Sequence, residues 1–205
     1  MDDKALFDET VAQRTGLIGV LDELSHHQWD TPSLCEGWRV REVVAHITMP
    51  YRHPGRTVLA AMVRARGRFD VAADRLARRD TAENSSSQLL ECLRRNVGHR
   101  WKPPGGGQLG ALSHDVIHGL DMTEALGLPA VSPPERIVAV LRSPKLARAF
   151  KVDLSGYELA AIDADYHHGE GRPLHLPAKD LLQICTGRRR PSAMSGSDGQ
   201  DGADS

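Results

Sequence analysis

Apolar residues recur at helical spacing through most of the chain, and that periodicity constrains the fold more than any other feature. In residues 4–25, Leu6, Val11, Leu17, Ile18, Leu21 and Leu24 mark one side of a long amphipathic helix with no proline inside it. After the breaker "DTPSLCEGW", a second helix starts near Val40, with Val43, Val44 and Ile47 as its stripe and Pro50 and Pro54 limiting or kinking it. "TVLAAMVRARGRF" and "DVAADRLARRD" give a third helical region bent at Gly67, and "SSSQLLECLRRNVGHRW" a fourth with serines available as N-caps. "KPPGGG" is a loop, followed by a helix over 109–126 closed by Gly127 and Pro129. "SPPERIVAVL" opens a further short helix.

Beyond about Ala149 the pattern changes. "YELAAIDAD" alternates as a strand does, and "RPLHLP" is its expected partner across the turn-rich "YHHGEG", which places His167 and His168 in an exposed hairpin turn. "AKDLLQICTG" is a last short helix ending at Gly187. The tail after Arg190 has almost nothing apolar to offset the entropy of ordering, so it is expected to be disordered. The expected fold is mainly α, a helical bundle with a small C-terminal α+β region.

The chemistry gathers in "LSHDVIHGLDMTEALG". His114 and His118 lie four apart, Asp121 follows three later, and on a helix all three share a face. Leu109, Leu112, Val116 and Leu120 form the aliphatic face, turned away from the histidines. Two readings follow: a solvated polar side carrying two histidines, or a ligand face looking into a cavity where Ala111 and Ala125 leave room. Ten histidines in 205 residues produce about half of one such pair by chance, so spacing alone does not choose. His46, at the edge of an apolar helical stripe, is awkward there unless paired. Asp121 can orient His118 or serve as a surface charge. Asp115 is expected to be solvated, Cys35 to be a small buried hydrophobe, and Trp38 either to wall a site or simply to be buried. Arg39 and Arg41 could hold a carboxylate or line a solvated helix face.

Several chemistries are excluded. HExxH, CxxC, GxSxG and a glycine-rich phosphate loop after a strand are all absent. The formal net charge of −1 points away from nucleic acid and anionic membranes as partners. No apolar run reaches the ~20 residues of a membrane helix. The acidic start "MDDKALFDET" is not that of a signal peptide, and three scattered cysteines suit free thiols in a reducing cytoplasm. Abundant Arg with scarce Lys suits a GC-rich bacterial genome.

"PSLCEGWRVREVVAHI" resembles the segment that opens the mycothiol-dependent maleylpyruvate isomerase N-terminal family, one of the DinB-like metal-binding four-helix bundles. "HDVIHGLDMTEALGLP" resembles that family's second motif, and the stretch from "YELAAIDAD" to "LLQICTGR" is similar to the C-terminal region of many relatives. The resemblance implies a DinB-like bundle over 1–149, a small α+β region over 150–190 and a disordered tail over 191–205. It implies one divalent metal held by His46, His114 and His118, with Asp121 and Trp38 behind them and Arg41 as a cofactor contact. Zinc suits three imidazoles best, and nickel or iron also fit. The implied cosubstrate is mycothiol, the low-molecular-weight thiol of actinobacteria, activated toward an electrophilic small molecule for isomerisation or S-transfer. Relatives with isomerase activity have glutamate where this chain has His114. They often have Ser or Thr where Arg39 stands, so the cap of that helix must come from elsewhere. The alternative is a non-catalytic metal-binding or stress-response protein of the same bundle. Either would be a cytoplasmic monomer or homodimer.

Overall fold

Local capping sets the helix starts. In the computed structural model, which describes residues 1–191, helix α1 (Asp3–Asp22) begins where the Asp2 carboxylate accepts the Ala5 N–H at 2.8 Å. A one-turn helix, α2 (His26–Trp29), follows under a Ser25/Gln28 capping box, and it had no signal in the apolar periodicity. Helix α3 (Val40–Arg52) carries Pro50 in its last turn. Its start is secured by Glu42, whose carboxylate accepts the Arg39 backbone N–H at 2.9 Å while the Arg39 guanidinium binds the same carboxylate. This is the substitute cap that Arg39 requires.

The region expected to be one bent helix is two, α4 (Gly55–Arg64) and α5 (Phe69–Glu83). Arg66 (φ 54°) and Gly67 (φ 78°) lie in the left-handed region between them, where glycine is at ease and a right-handed helix cannot continue. Helix α6 (Ser86–Arg95) starts at the cap Ser85, as the serine run suggested, but stops well before Trp101. Helix α7 (Gly107–Thr123) carries the paired histidines.

Four of these helices close a ring: α1 packs on α6 and α7, and α3 packs on the same two. Leu17, Leu21, Val40, Val43, Val44, Ile47, Leu89, Leu93 and Met122 fill the space between them. Helix α5 adds to the flank of α3, where Arg52 and His53 both reach the buried Asp80. These elements belong to a compact unit spanning Met1–Pro133; a second unit begins at Pro134. The mainly α fold with a small C-terminal α+β region is the one expected.

The second unit contains α8 (Pro134–Leu141), α9 (Leu146–Phe150), strands β1 (Tyr157–Ala161), β2 (His167–His168) and β3 (Arg172–Leu176), and α10 (Ala178–Cys185). The expected hairpin is corrected here. β3 runs parallel to β1, while His167 and His168 are not in a turn but form β2, the exposed antiparallel partner on the other side of β1. To change sides the chain crosses beneath the start of β1. Gly171 (φ 125°) makes that crossing, and a Cβ there would overlap the Gly156 carbonyl oxygen. The disordered tail expected over 191–205 lies, except for Pro191, outside the described residues.

Candidate metal centre

Helix α3 supplies His46 one turn after Glu42 and Val43, and the residue is 5% exposed. Helix α7 supplies His114 and His118, whose side chains are 15% and 14% exposed. The histidine face of α7 therefore points inward, like its aliphatic face, and the solvated-side reading is set aside. One ring nitrogen from each of the three histidines lies within 4.8 Å of the others. His46 Nε2 and His114 Nε2 are 3.2 Å apart, and the three ring centroids are separated by 4.8–5.0 Å.

The neighbours define which nitrogens carry protons. Asp115 Oδ1 lies 2.9 Å from His114 Nδ1, and Asp121 Oδ2 lies 3.1 Å from His118 Nδ1. Each carboxylate favours the Nδ1–H tautomer, which leaves Nε2 of both rings as a lone pair. His46 Nδ1 is buried with no hydrogen-bond partner. Burial, then the charges of His118 and His114, hold the His46 pKa well below the ordinary histidine range, so His46 is neutral at physiological pH.

Asp115 corrects a second expectation. It is not solvated but 1% exposed, and its other oxygen accepts from Arg14 Nε at 2.7 Å. Arg14, on α1, is itself fully buried and also donates to the carbonyls of Val97 and His99 at 3.1 and 2.7 Å. Burial pushes the Asp115 carboxyl up, but the His114 hydrogen bond and the His114 and Arg14 charges outweigh it and bring it below the usual carboxylate range. A continuous chain thus runs from Arg14 through Asp115 to His114. Arg14 gave no sequence signal beyond a charge interrupting the face of the first helix.

Around the histidines stand aromatic rings. Trp38 lies 5.1 Å from His46 by centroid and donates its indole N–H to Asp74 at 2.9 Å. Trp101 lies 5.3 Å from His114, and Phe69 lies 6.4 Å from His46. Cys35 packs against the core but is half-buried rather than buried as expected, and its thiol donates to Asp121 Oδ2 at 2.9 Å. Arg41 is engaged elsewhere, paired with Asp30 at 3.0 Å.

The donor set suits a divalent ion. Two nitrogens each ~2.1 Å from a shared ion lie roughly 3.0–3.4 Å apart for octahedral to tetrahedral angles, and the His46–His114 pair falls in that interval. Carboxylates on the outer nitrogens of ligating histidines are the usual support of such sites. Asp115 and Asp121 occupy those positions.

Residues 11–102 match the family model described as the mycothiol maleylpyruvate isomerase N-terminal domain. His46 falls inside the matched segment, and His114 and His118 fall beyond it. Among solved structures, the crystal structure of the mycothiol-dependent maleylpyruvate isomerase is similar at 14% identity, covering 97% of this chain and 92% of that chain with a TM-score of 0.48. No curated protein matches the chain.

Proposed function

We propose that this protein is a metal-dependent, mycothiol-using enzyme that catalyses isomerisation or S-transfer, a reading supported by the match of residues 11–102 to the mycothiol maleylpyruvate isomerase N-terminal domain model. His46, His114 and His118 would hold one dication, zinc by preference. The observation that carries the reading is the 3.2 Å approach of His46 Nε2 to His114 Nε2, with carboxylates behind His114 and His118.

A bound dication would supply Lewis acidity that lowers the pKa of an incoming thiol. The chain's own residues do the rest. Asp115 and Asp121 hold two imidazoles in the tautomer that offers Nε2, and Arg14 keeps Asp115 ionised and in place. Burial keeps His46 neutral, so its lone pair is available without prior loss of a proton. Trp38 and Trp101 set apolar rings against His46 and His114, which strengthens the electrostatics between the groups beside them.

The test is metal content. Protein purified without added metal is expected to carry close to one zinc per His46/His114/His118 set, and His118→Ala to lose it while retaining its helical circular dichroism. Mycothiol added to the loaded protein should bind, with release of about one proton per thiol. A His118→Ala protein that keeps full metal stoichiometry overturns the ligand assignment. A loaded protein that ignores mycothiol overturns the cosubstrate.

A further inference from the structure

The Nδ1 edge of the His118 ring meets a second group of ligand-type atoms. Cys35 Sγ lies 3.6 Å from His118 Nδ1 and 2.9 Å from Asp121 Oδ2, and Asp121 Oδ2 lies 3.1 Å from His118 Nδ1. We propose that Cys35, Asp121 and His118 form a second, thiolate-containing divalent-metal site that shares the His118 imidazole with the first.

Zinc ligands at ~2.3 Å for sulfur and ~2.0–2.2 Å for nitrogen and oxygen stand roughly 3.2–3.6 Å apart in a tetrahedron. The observed triangle has sides of 3.6, 2.9 and 3.1 Å, so an ion needs the Asp121 oxygen to move by about half an ångström. The loop carrying Cys35 is already fixed for the purpose. Leu34 N–H binds the Asp121 carbonyl at 3.0 Å, which ties the loop to α7 beside the site. Ser33 Oγ accepts from Cys35 N at 3.2 Å, and Trp38 N–H binds the Cys35 carbonyl at 3.0 Å. A thiolate, an imidazole and a carboxylate are a zinc-type donor set. Cys35 is only half-buried, so a solvent molecule can take the fourth position.

The protons balance simply. Binding releases the Cys35 S–H proton to solvent. With only this site filled, the single N–H proton of His118 moves from Nδ1 to Nε2 by exchange with solvent, and the ring stays neutral; filling both sites sends that proton to solvent as well. With both filled, His118 is a bridging imidazolate, and thiolate, carboxylate and imidazolate together offset three of the four positive charges.

The site does not use His46 or His114, so it can fail while the proposed function stands, and the reverse also holds. The probe is cobalt(II) titrated into metal-free protein. Wild type is expected to take two equivalents and to show a near-ultraviolet thiolate-to-cobalt charge-transfer band. Cys35→Ser should lose the band and one equivalent, whereas His114→Ala should keep the band and lose the other. Alkylation of Cys35 by iodoacetamide, followed by peptide mass mapping, gives a readout in the unmutated chain, and cobalt should slow it by about tenfold or more. A wild type without the band, a band that survives Cys35→Ser, or an alkylation rate indifferent to cobalt each overturns the second site and leaves a hydrogen-bonded cluster only.

Discussion

Replacing Arg14 by Met tests how much of the N-terminal unit depends on the buried chain behind His114. The Arg14 side chain is 0% exposed and the Asp115 side chain 2%, so neither group is relieved by solvent when its partner is removed. Breaking a buried pair from one side costs about 3–5 kcal/mol, because the remaining charge stays desolvated and unmatched. The carbonyls of Val97 and His99 lose their guanidinium donor at the same time. His114 still donates to Asp115, which offsets part of the loss. We expect about 4 kcal/mol by urea denaturation followed at a helical circular-dichroism wavelength. At roughly 2–4 °C per kcal/mol, that is a fall in Tm of about 8–16 °C. Arg14→Met combined with Asp115→Leu removes both charges, and the double variant should be more stable than Arg14→Met alone. A single-variant loss under about 1 kcal/mol, or strict additivity in the pair, would refute the reasoning.

Three further outcomes are expected. Asp121→Asn should weaken zinc binding about 10–100-fold in competition with a chromogenic chelator, and a change under about twofold would remove its role in orienting His118. Glu42→Gln should cost about 1–2 kcal/mol at pH 7, since the carboxylate caps α3 and accepts from Arg39 and Thr81. Burial pushes the Glu42 carboxyl up, but Arg39 and Thr81 outweigh it and lower its pKa. The stabilisation is therefore complete above the unfolded value of ~4.3 and fades as pH falls through the lower folded value, so denaturation at pH 3 should show a smaller wild-type advantage than at pH 7. Gly171→Ala should destabilise the C-terminal unit by more than about 1 kcal/mol, seen as faster proteolysis there, because both the positive φ and the Gly156 carbonyl oppose a Cβ.

The helices were legible where burial and capping act locally. Val43, Val44 and Ile47 mark a stripe that is fully or almost fully buried, and the serines before α6 do provide its cap. The break between α4 and α5 is half visible in the sequence: Gly67 marks it, but the preceding Arg66 also adopts a left-handed conformation, and nothing in an arginine announces that. The sheet failed for a different reason. Two alternating segments with a glycine-containing link between them read as a hairpin, because local sequence reports strand propensity and turn chemistry but not pairing direction. Here the link contains a two-residue strand of its own, His167–His168, and the chain passes under β1 before β3 begins. Only the tertiary pairing distinguishes that path from a simple return.

The site was hidden by the same periodicity that revealed the bundle. A helical face carrying His114, Asp115 and His118 scores as polar, and a polar face is ordinarily a solvated one. Its burial depends on a residue about a hundred positions away, Arg14, whose guanidinium makes an ionised carboxylate tolerable inside the bundle. Sequence patterns sense hydrophobicity, whereas this face is buried by complementarity: Arg14 to Asp115, Asp115 to His114, and Cys35 with His118 to Asp121. His46, across from those groups, stands out by burial alone, since a histidine in a valine-rich stripe has no solvated alternative. That asymmetry explains why a polar side chain on an apolar stripe was the informative signal, and why the polar partners across from it required the fold to be seen.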